Sequence, residues 1–231
     1  MPNPRGPARA KKEKVTTVEK GDLQIGVASK PRFEFRSFGQ NFDTIHHRMA
    51  RFSVPVPEKV WERRSDEIYI VSRTNDVNNT KIRDGKMDIK TLVQTVDGLE
   101  QWAPLMKGEF PLPAGVLRDE VYPAFRVTVP DLPGADCDYA SFLAGIRAHR
   151  DLAAVRVHKQ RFGYMVHNTI CEYAVVLING ARVVTVATES TDIADLQRTI
   201  ADTGMAGLEN INYLQAVKRV IGMHQAPLAN E

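Results

Sequence analysis

Arg32-Phe33-Glu34-Phe35-Arg36 decides the fold of this chain, because its charged and aromatic residues alternate strictly. In a β-strand, successive side chains point to opposite faces of the sheet. The three charged residues therefore share one face, and the two phenylalanines share the other. One face can pack against a core, while the opposite face carries both signs of charge.

The same alternation occurs in three later runs, which are Lys81-Ile82-Arg83, Asp88-Ile89-Lys90 and Lys159-Gln160-Arg161. A single run of this kind is typical of a solvated sheet face, where opposite charges form a ladder of ion pairs across the strands. Several such runs in one curled sheet would converge on a charged lumen that suits a phosphate chain and a hard cation. A charged interior without a ligand would be costly, so the ladder interpretation requires the charged faces to point outward.

Composition limits the classes of protein to which the chain can belong. With 231 residues, of which 43% are hydrophobic, the chain can fill a sizeable core. Five basic residues and one acidic residue give +4 within residues 1–14, against +3 for the whole chain. The remainder is therefore about neutral, and no specific nucleic-acid partner is expected.

Cysteine usage and hydropathy favour a cytoplasmic protein. Cys137 and Cys171 are the two cysteines, and they make no disulfide framework and match no zinc spacing. No apolar stretch approaches about 18 residues, so neither a membrane span nor a secretory signal is expected. We expect a disordered basic tail over residues 1–22, one folded domain over residues 23–224 and a flexible C-terminus over residues 225–231.

The first half of the chain has one predicted helix and a series of strands. Apolar residues at helical spacing predict a helix over Asn41–Phe52. Strands are expected over residues 66–73, 77–84 and 86–93, and Asp84-Gly85 is a hairpin turn because Gly tolerates positive φ. The proline-containing segment Leu99–Pro113 is predicted to be irregular, and Tyr122–Val129 is predicted to be a strand.

The second half combines strands and helices. Asp138 is expected to cap a helix. Further strands are expected over Ala154–Tyr164, Thr169–Ile178 and Arg182–Ser190, and Asn179-Gly180 is the turn between the last two. The last two predicted helices are one that Ser190 or Thr191 caps and Gly204 ends, and one over Asn210–Gly222.

Short hairpins cannot join parallel strands, so the sheet is expected to be mainly antiparallel. The prediction is an α+β fold, an eight-stranded antiparallel β tunnel or barrel with peripheral helices. Neither a G-x-G-x-x-G nor a G-x-x-x-x-G-K-[ST] loop occurs. Any phosphate chemistry is therefore not of the Rossmann or P-loop kind.

Several runs together resemble a known family, and they are Arg32–Arg36, Thr80–Lys90, Val157–Phe162, Cys171–Tyr173 and Val186–Glu189. In this order they are similar to the opening strand, central basic hairpin, second basic strand and closing acidic hairpin of the CYTH superfamily, also called triphosphate tunnel metalloenzymes. That family includes inorganic, thiamine and RNA triphosphatases and class IV adenylate cyclases. The resemblance covers residues 31–222 and implies an eight-stranded antiparallel tunnel.

Two positions depart from the family's pattern. Arg32 stands where the family has the first glutamate of its opening motif, and Ala187 stands where a Glu-x-Glu pair usually begins. Arg36 replaces the family's lysine. These changes weaken the expected metal site and add positive charge.

The resemblance implies roles for named residues. Glu34, Glu172 and Glu189 would hold Mg²⁺ or Mn²⁺, because these ions prefer oxygen ligands. The residues implied in catalysis are Glu34, Lys90 and Arg161. Those implied in binding the phosphate chain are Arg32, Arg36, Lys81, Arg83, Lys90, Lys159 and Arg161.

Three functions remain open from the sequence. The first is metal-dependent hydrolysis of tripolyphosphate or of a nucleoside or organic triphosphate, in which the protein positions the phosphates and neutralises their charge. The second is binding of polyphosphate or a phosphorylated ligand without catalysis. In the third the fold serves only protein assembly, which requires the charged faces to meet solvent.

Overall fold

The structure is a computed structural model that describes residues 30–53, 61–132 and 134–228. Its strands are β1 (Arg32–Gly39), β2 (Trp61–Ser72), β3 (Asn78–Arg83), β4 (Lys86–Val96), β5 (Leu99–Glu109), β6 (Leu112–Pro113), β7 (Asp136–Cys137), β8 (Leu152–Val166), β9 (Thr169–Ile178) and β10 (Ala181–Ser190). Its helices are α1 (Asp43–Phe52), α2 (Ala114–Val116), α3 (Tyr122–Phe125), α4 (Tyr139–Ala148), α5 (Ile193–Thr203) and α6 (Tyr213–Val220), and a π-helical turn (Leu117–Val121) joins α2 to α3.

Eight strands form a closed barrel in the order β1-β10-β9-β8-β2-β3-β4-β5. Every neighbouring pair in it is antiparallel. The predicted α+β fold with an eight-stranded antiparallel barrel is confirmed. Both predicted hairpin turns are present, with φ of 51° and 71° at Asp84-Gly85 and 47° and 91° at Asn179-Gly180. Positive φ at both central residues matches the twist of the flanking strands, so these turns fix the registers of β3–β4 and β9–β10.

The inside of the barrel has an apolar end and a charged end. Inward side chains near one end, including Phe38, Val157 and Val176, form a buried cluster with Leu214 and Val217 of α6. Because these side chains alternate with residues that face outward, the same strands carry the charged residues further along the lumen. Helix α6 therefore closes one end of the barrel, and the charged half lies above this floor.

Two apolar layers cover the outside of the barrel. Phe33 and Phe35 pack with residues of α1 and α5 in one layer, so the aromatic face of β1 is buried as the alternation predicts. Ile82, Met87 and Ile89 pack with the helical segment 114–125 and with α4 in the other layer. Each charged run of these strands therefore turns its apolar side to a helix and its charged side to the lumen.

The prediction of an irregular Leu99–Pro113 was wrong, because most of it is β5. Ile89 pairs with Met106 and Lys90 with Pro104, so Leu105 is the additional residue of a bulge beside the proline. In the described residues, β1 pairs with β5 only up to Trp102, so the missing N–H of Pro104 costs no ladder hydrogen bond there. A bulge thus admits proline into a strand of the barrel.

The prediction of a strand over Tyr122–Val129 was also wrong. Leu117, Val121, Tyr122 and Phe125 are buried on one side of a helical segment. Leu117, Val121 and Phe125 are four residues apart in succession, and Tyr122 is three residues before Phe125, which fits a helix rather than the alternation of a strand. Packing of that side on the outer sheet face decides the conformation.

The observed helix caps match the predicted ones except at the start of α5. Asp138 caps α4 by accepting from the Ser141 N–H, and Gly204 ends α5 with φ of 84°. The cap of α5 is Asp192, whose carboxylate accepts from two N–H groups, rather than Ser190 or Thr191. A carboxylate one residue later in the chain reaches the free N–H groups of the first turn.

The ends of the chain are described only in part. Leu228 is buried in the cluster beneath α6, and residues 229–231 lie outside the described residues. The predicted basic tail over residues 1–22 lies outside them as well. Within the described residues, no helix combines the length and apolarity needed to cross a membrane.

Shortening Leu214, the central apolar contact of α6, tests the packing by which this helix closes one end of the barrel. Leu214 is fully buried inside the barrel, so Leu214→Ala leaves a cavity and is expected to lower the free energy of unfolding by about 2–5 kcal/mol. Chemical denaturation monitored by circular dichroism measures the loss. Gln215→Ala on the same helix is the control and should change stability by less than about 0.5 kcal/mol; equal losses would contradict the packing described.

Candidate functional site

The charged half of the lumen contains a cavity of about 220 Å³. All the sequence-predicted site residues line it except Arg32 and Arg83; those that do are Glu34, Arg36, Lys81, Lys90, Lys159, Arg161, Glu172 and Glu189. Other residues in its wall include Tyr69, Asn79, Asp88, Trp102, Asn212 and Tyr213. The alternating runs thus converge on one space, although their individual roles remain predictions.

An exposed salt-bridge ladder does not describe this network. The side chains of Arg36 and Lys159 are 10% and 4% exposed, and that of Glu67 is 0% exposed. Ion pairs in such surroundings lose far more hydration than surface pairs do. The charged faces therefore belong to the interior of the barrel.

Glu67 is the buried centre of the basic side of the lumen, and the sequence analysis did not identify it. Its carboxylate lies 2.8 Å from Lys159 Nζ, 3.3 Å from Arg83 Nη1 and 4.0 Å from Arg161 Nη2. Burial raises the pKa of Glu67, but the charges of Lys159, Lys81 and Arg161 outweigh it and lower the pKa to about 2. The sequence feature that could have identified Glu67 is its spacing: Glu67, Tyr69 and Val71 alternate along β2, so they share its inward face.

Lys159 lies against two aromatic rings at the bottom of the cavity. Its Nζ donates to Tyr69 Oη at 2.7 Å and lies 3.7 Å from the centre of the Tyr213 ring. Burial lowers the pKa of Lys159 to about 7, against the opposing charge of Glu67. An ammonium beside one carboxylate and two aromatic rings is thus fixed in place at the bottom of the cavity.

Among the described residues, the basic wall has one buried donor without a hydrogen-bond partner and one lysine without an ion pair. Arg161 Nε is buried without a hydrogen-bond partner in the described part of the chain. Its other nitrogens reach Ser65 Oγ at 3.3 Å and Glu172 only at 3.8 Å. Lys90 forms no ion pair with any described residue, and Lys81 lies 3.6 Å from Asp88. Burial lowers the pKa of Lys81, so its charge is incompletely compensated.

The opposite wall, formed by β1, β9 and β10, holds acids paired with arginines. Arg36 Nε donates to Glu34 at 2.6 Å and Arg36 Nη1 donates to Glu172 at 3.0 Å. Burial opposes the charge of Arg36, but the two carboxylates raise its pKa above the usual value. Arg32 is outside the cavity and donates to Glu189 at 2.9 Å.

Glu100 extends the acidic wall and was also missed by the sequence analysis. Glu34 pairs in register with Glu189 on one side and with Glu100 on the other, so three acids lie at one level of the barrel. Asn212 Nδ2 donates to both oxygens of Glu100, at 3.0 and 3.1 Å. Burial, together with the charge of Glu34, raises the pKa of Glu100.

The three predicted metal ligands, Glu34, Glu172 and Glu189, do not fit a metal site as arranged. Each already accepts a hydrogen bond from an arginine. Among the described residues, no group of three or more His, Cys, Asp or Glu side chains is placed to hold a metal ion. A guanidinium therefore lies where a divalent cation would need free carboxylate oxygens.

Glu67→Gln tests the central ion pair. The substitution leaves Lys159 buried without its carboxylate, and it is expected to lower the free energy of unfolding at pH 7 by about 3–5 kcal/mol. Because the folded pKa of Glu67 is depressed, its stabilisation is present above the unfolded value of 4.5 and is lost as pH falls towards about 2. The difference between the variant and the wild type should therefore shrink over that window.

Urea denaturation at a series of pH values measures this difference. The control is Glu109→Gln, whose side chain is 69% exposed and 3.9 Å from Lys86, and it should have almost no effect. A pH-independent difference between Glu67→Gln and the wild type would contradict the assigned ion pair.

Comparisons with known proteins identify similar folds at low sequence identity. Neither a protein-family model nor a curated protein matches the chain. A conserved hypothetical protein from Pyrococcus furiosus is 14% identical, with a TM-score of 0.48 over 79% of this chain and 98% of that one. A putative adenylyl cyclase from Hippeastrum, described as having a dominant triphosphatase activity, is 11% identical, with a TM-score of 0.45 over 82% of this chain and 95% of that one.

The capping enzyme triphosphatase of Mimivirus is 12% identical, with a TM-score of 0.40 over 75% of this chain and 89% of that one. The strand order and registers of the chain itself show the architecture. The chain is a divergent protein with the closed eight-stranded antiparallel tunnel fold that its resemblance to the CYTH superfamily implies.

Proposed function

We propose that the lumen binds the phosphate chain of tripolyphosphate or of a nucleoside or organic triphosphate. The observation that carries this proposal is the buried Arg161 Nε, which has no acceptor among the described residues; Arg161 lines the cavity together with Lys81 and Lys90. A buried donor without an acceptor costs free energy, and phosphate oxygens would supply that acceptor.

The chemistry of the basic wall fits such an anion. Lys81, Lys90 and Arg161 come from the neighbouring parts of the barrel formed by β3, β4 and β8. Arginine presents forked donors to phosphate oxygens, and lysine acts as a compact point charge. An extended anion with several charged groups could contact all three side chains, whereas a single carboxylate would reach fewer of them.

Binding without catalysis is the function that the geometry supports best. Hydrolysis with Mg²⁺ or Mn²⁺ would use Glu34, Glu172 and Glu189 as ligands and Glu34, Lys90 and Arg161 in catalysis. These three carboxylates are engaged by Arg32 and Arg36, so in this arrangement they do not fit a metal ion. The assembly-only function has no support from the charged faces, because they line a cavity.

Lys90→Ala is expected to weaken the binding of tripolyphosphate by about 10- to 100-fold, the equivalent of about 1.5–3 kcal/mol for one charged hydrogen bond. Isothermal titration calorimetry measures the affinity. Lys86→Ala on the same strand is the control, because the Lys86 side chain is 66% exposed and does not line the cavity. Equal affinities of Lys90→Ala and the wild type would contradict binding at this wall.

Phosphate release separates binding from hydrolysis. We expect no release above the buffer rate from tripolyphosphate, ATP or thiamine triphosphate with Mg²⁺ or Mn²⁺, because the acidic side chains are held by arginines. A colorimetric phosphate assay beside a Glu34→Gln variant measures this. Release by the wild type that Glu34→Gln abolishes would overturn the binding-only function in favour of hydrolysis.

A further inference from the structure

The guanidinium of Arg36 has three kinds of contact that fix its position inside the lumen. It donates to Glu34 at 2.6 Å and to Glu172 at 3.0 Å, and its centre lies 4.7 Å from the centre of the Tyr213 ring. Arg36 Nη1 is also 3.4 Å from Thr185 Oγ1. A side chain held by two carboxylates and a ring face is preorganised, so its charge is a permanent part of the acidic wall.

Ala187 makes this bridge possible. Arg36 of β1 pairs in register with Ala187 of β10, which pairs in turn with Glu172 of β9. Side chains at paired positions share a face, so a larger residue at 187 would stand between the guanidinium and Glu172. The methyl group of Ala187 leaves room for Arg36 to span the width of β10.

The remaining acids of this wall have their own partners. Glu189 accepts from Arg32, and Glu100 accepts from Asn212 and from Trp102 Nε1 at 3.2 Å. Each acid is thus compensated by a side chain of this chain. The opposite wall holds Lys90, which has no ion pair among the described residues, and the unpartnered Arg161 Nε, together with two buried acceptors that also lack a hydrogen-bond partner, Asn79 Oδ1 and Asp88 Oδ1.

We infer that the tunnel takes its polyphosphate ligand in the metal-free form, with Arg36 acting as a built-in cation between Glu34 and Glu172. This inference rests on the proposed function, and it specifies which form of the anion the site selects. A magnesium complex would bring a second cation towards Arg36, and it would also occupy phosphate oxygens that Lys81, Lys90 and Arg161 could otherwise contact. Both effects disfavour the complexed anion.

Calorimetric titration of the full chain with tripolyphosphate tests directly whether the site binds the metal-free or the magnesium-bound anion. One titration contains EDTA, and the other contains Mg²⁺ in large excess over the anion. We expect affinity at least tenfold tighter in EDTA. Binding that requires Mg²⁺, or that is equally tight in both titrations, would overturn the inference and leave the proposed function standing, whereas absence of binding in both would overturn the proposed function itself.

A second measurement contains no polyphosphate and tests the role of Arg36 alone. Arg36→Gln removes the cation from between Glu34 and Glu172, so added Mn²⁺ is expected to raise the melting temperature of this variant by several degrees through binding to the folded state. The wild type and Arg36→Lys, which keep a cation there, should show no such rise. A rise in the wild type that Glu34→Gln removes would overturn the inference.

Should Arg36→Gln not fold, the two calorimetric titrations of the wild type still decide the inference, because they need no variant.

Discussion

The buried ion pair between Glu67 and Lys159 is the interaction on which the charged lumen depends. Both side chains are nearly inaccessible, at 0% and 4% exposure, and their atoms are 2.8 Å apart. Removing two ions from water costs several kcal/mol each, so neither would be tolerated there alone. Once Glu67 is in place, Lys159, Arg83 and Arg161 can lie close together without prohibitive repulsion.

Acids and bases are paired unevenly around the barrel, and this uneven pairing determines the chemistry of the cavity. On the side of β1, β9 and β10, arginines match the acids closely, as the contacts of Arg36 show. On the side of β3, β4 and β8, two acids, Glu67 and Asp88, serve several bases, and Lys90 is left without an ion pair in the described residues. A lumen whose charges nearly cancel overall can therefore still have one wall with excess positive charge, which attracts an anion.

The sequence predicted the barrel because a period of two residues shows which face each side chain takes. Arg36, Lys81 and Lys159 were correctly expected to face a common space, since each belongs to a run in which every second residue is charged. The alternation pattern gave wrong predictions in two segments, where a bulge and a helix interrupt regular strand structure. Pro104 enters β5 through a bulge, and the strand predicted over Tyr122–Val129 begins in the helix α3.

The pairing inside the lumen could not be predicted in the same way. Which acid meets which base depends on strand register and barrel order, and these bring β1 within reach of β9 across a single alanine. Glu67 and Glu100 escaped notice because no charged residue stands two positions away on the same strand face: Ser65 and Tyr69 flank Glu67, and Gly98 and Trp102 flank Glu100. Their importance arises from partners that lie far away in the sequence.

The short segment that leads into α6 joins the two walls and the floor. Asn210 Oδ1 accepts from the backbone N–H of Arg36 at 2.9 Å, and Asn212 both caps α6 and donates to Glu100. The next residue, Tyr213, places one ring 4.7 Å from the centre of the Arg36 guanidinium and 3.7 Å from Lys159 Nζ.

Two like charges can share this ring because each also has its own carboxylate, and because both are attracted to the π-electrons of an aromatic face. The acidic wall and the basic wall therefore meet at one aromatic side chain at the start of α6. Because Tyr213 belongs to α6, the apolar packing of this helix inside the barrel also fixes the ring against which Arg36 and Lys159 lie.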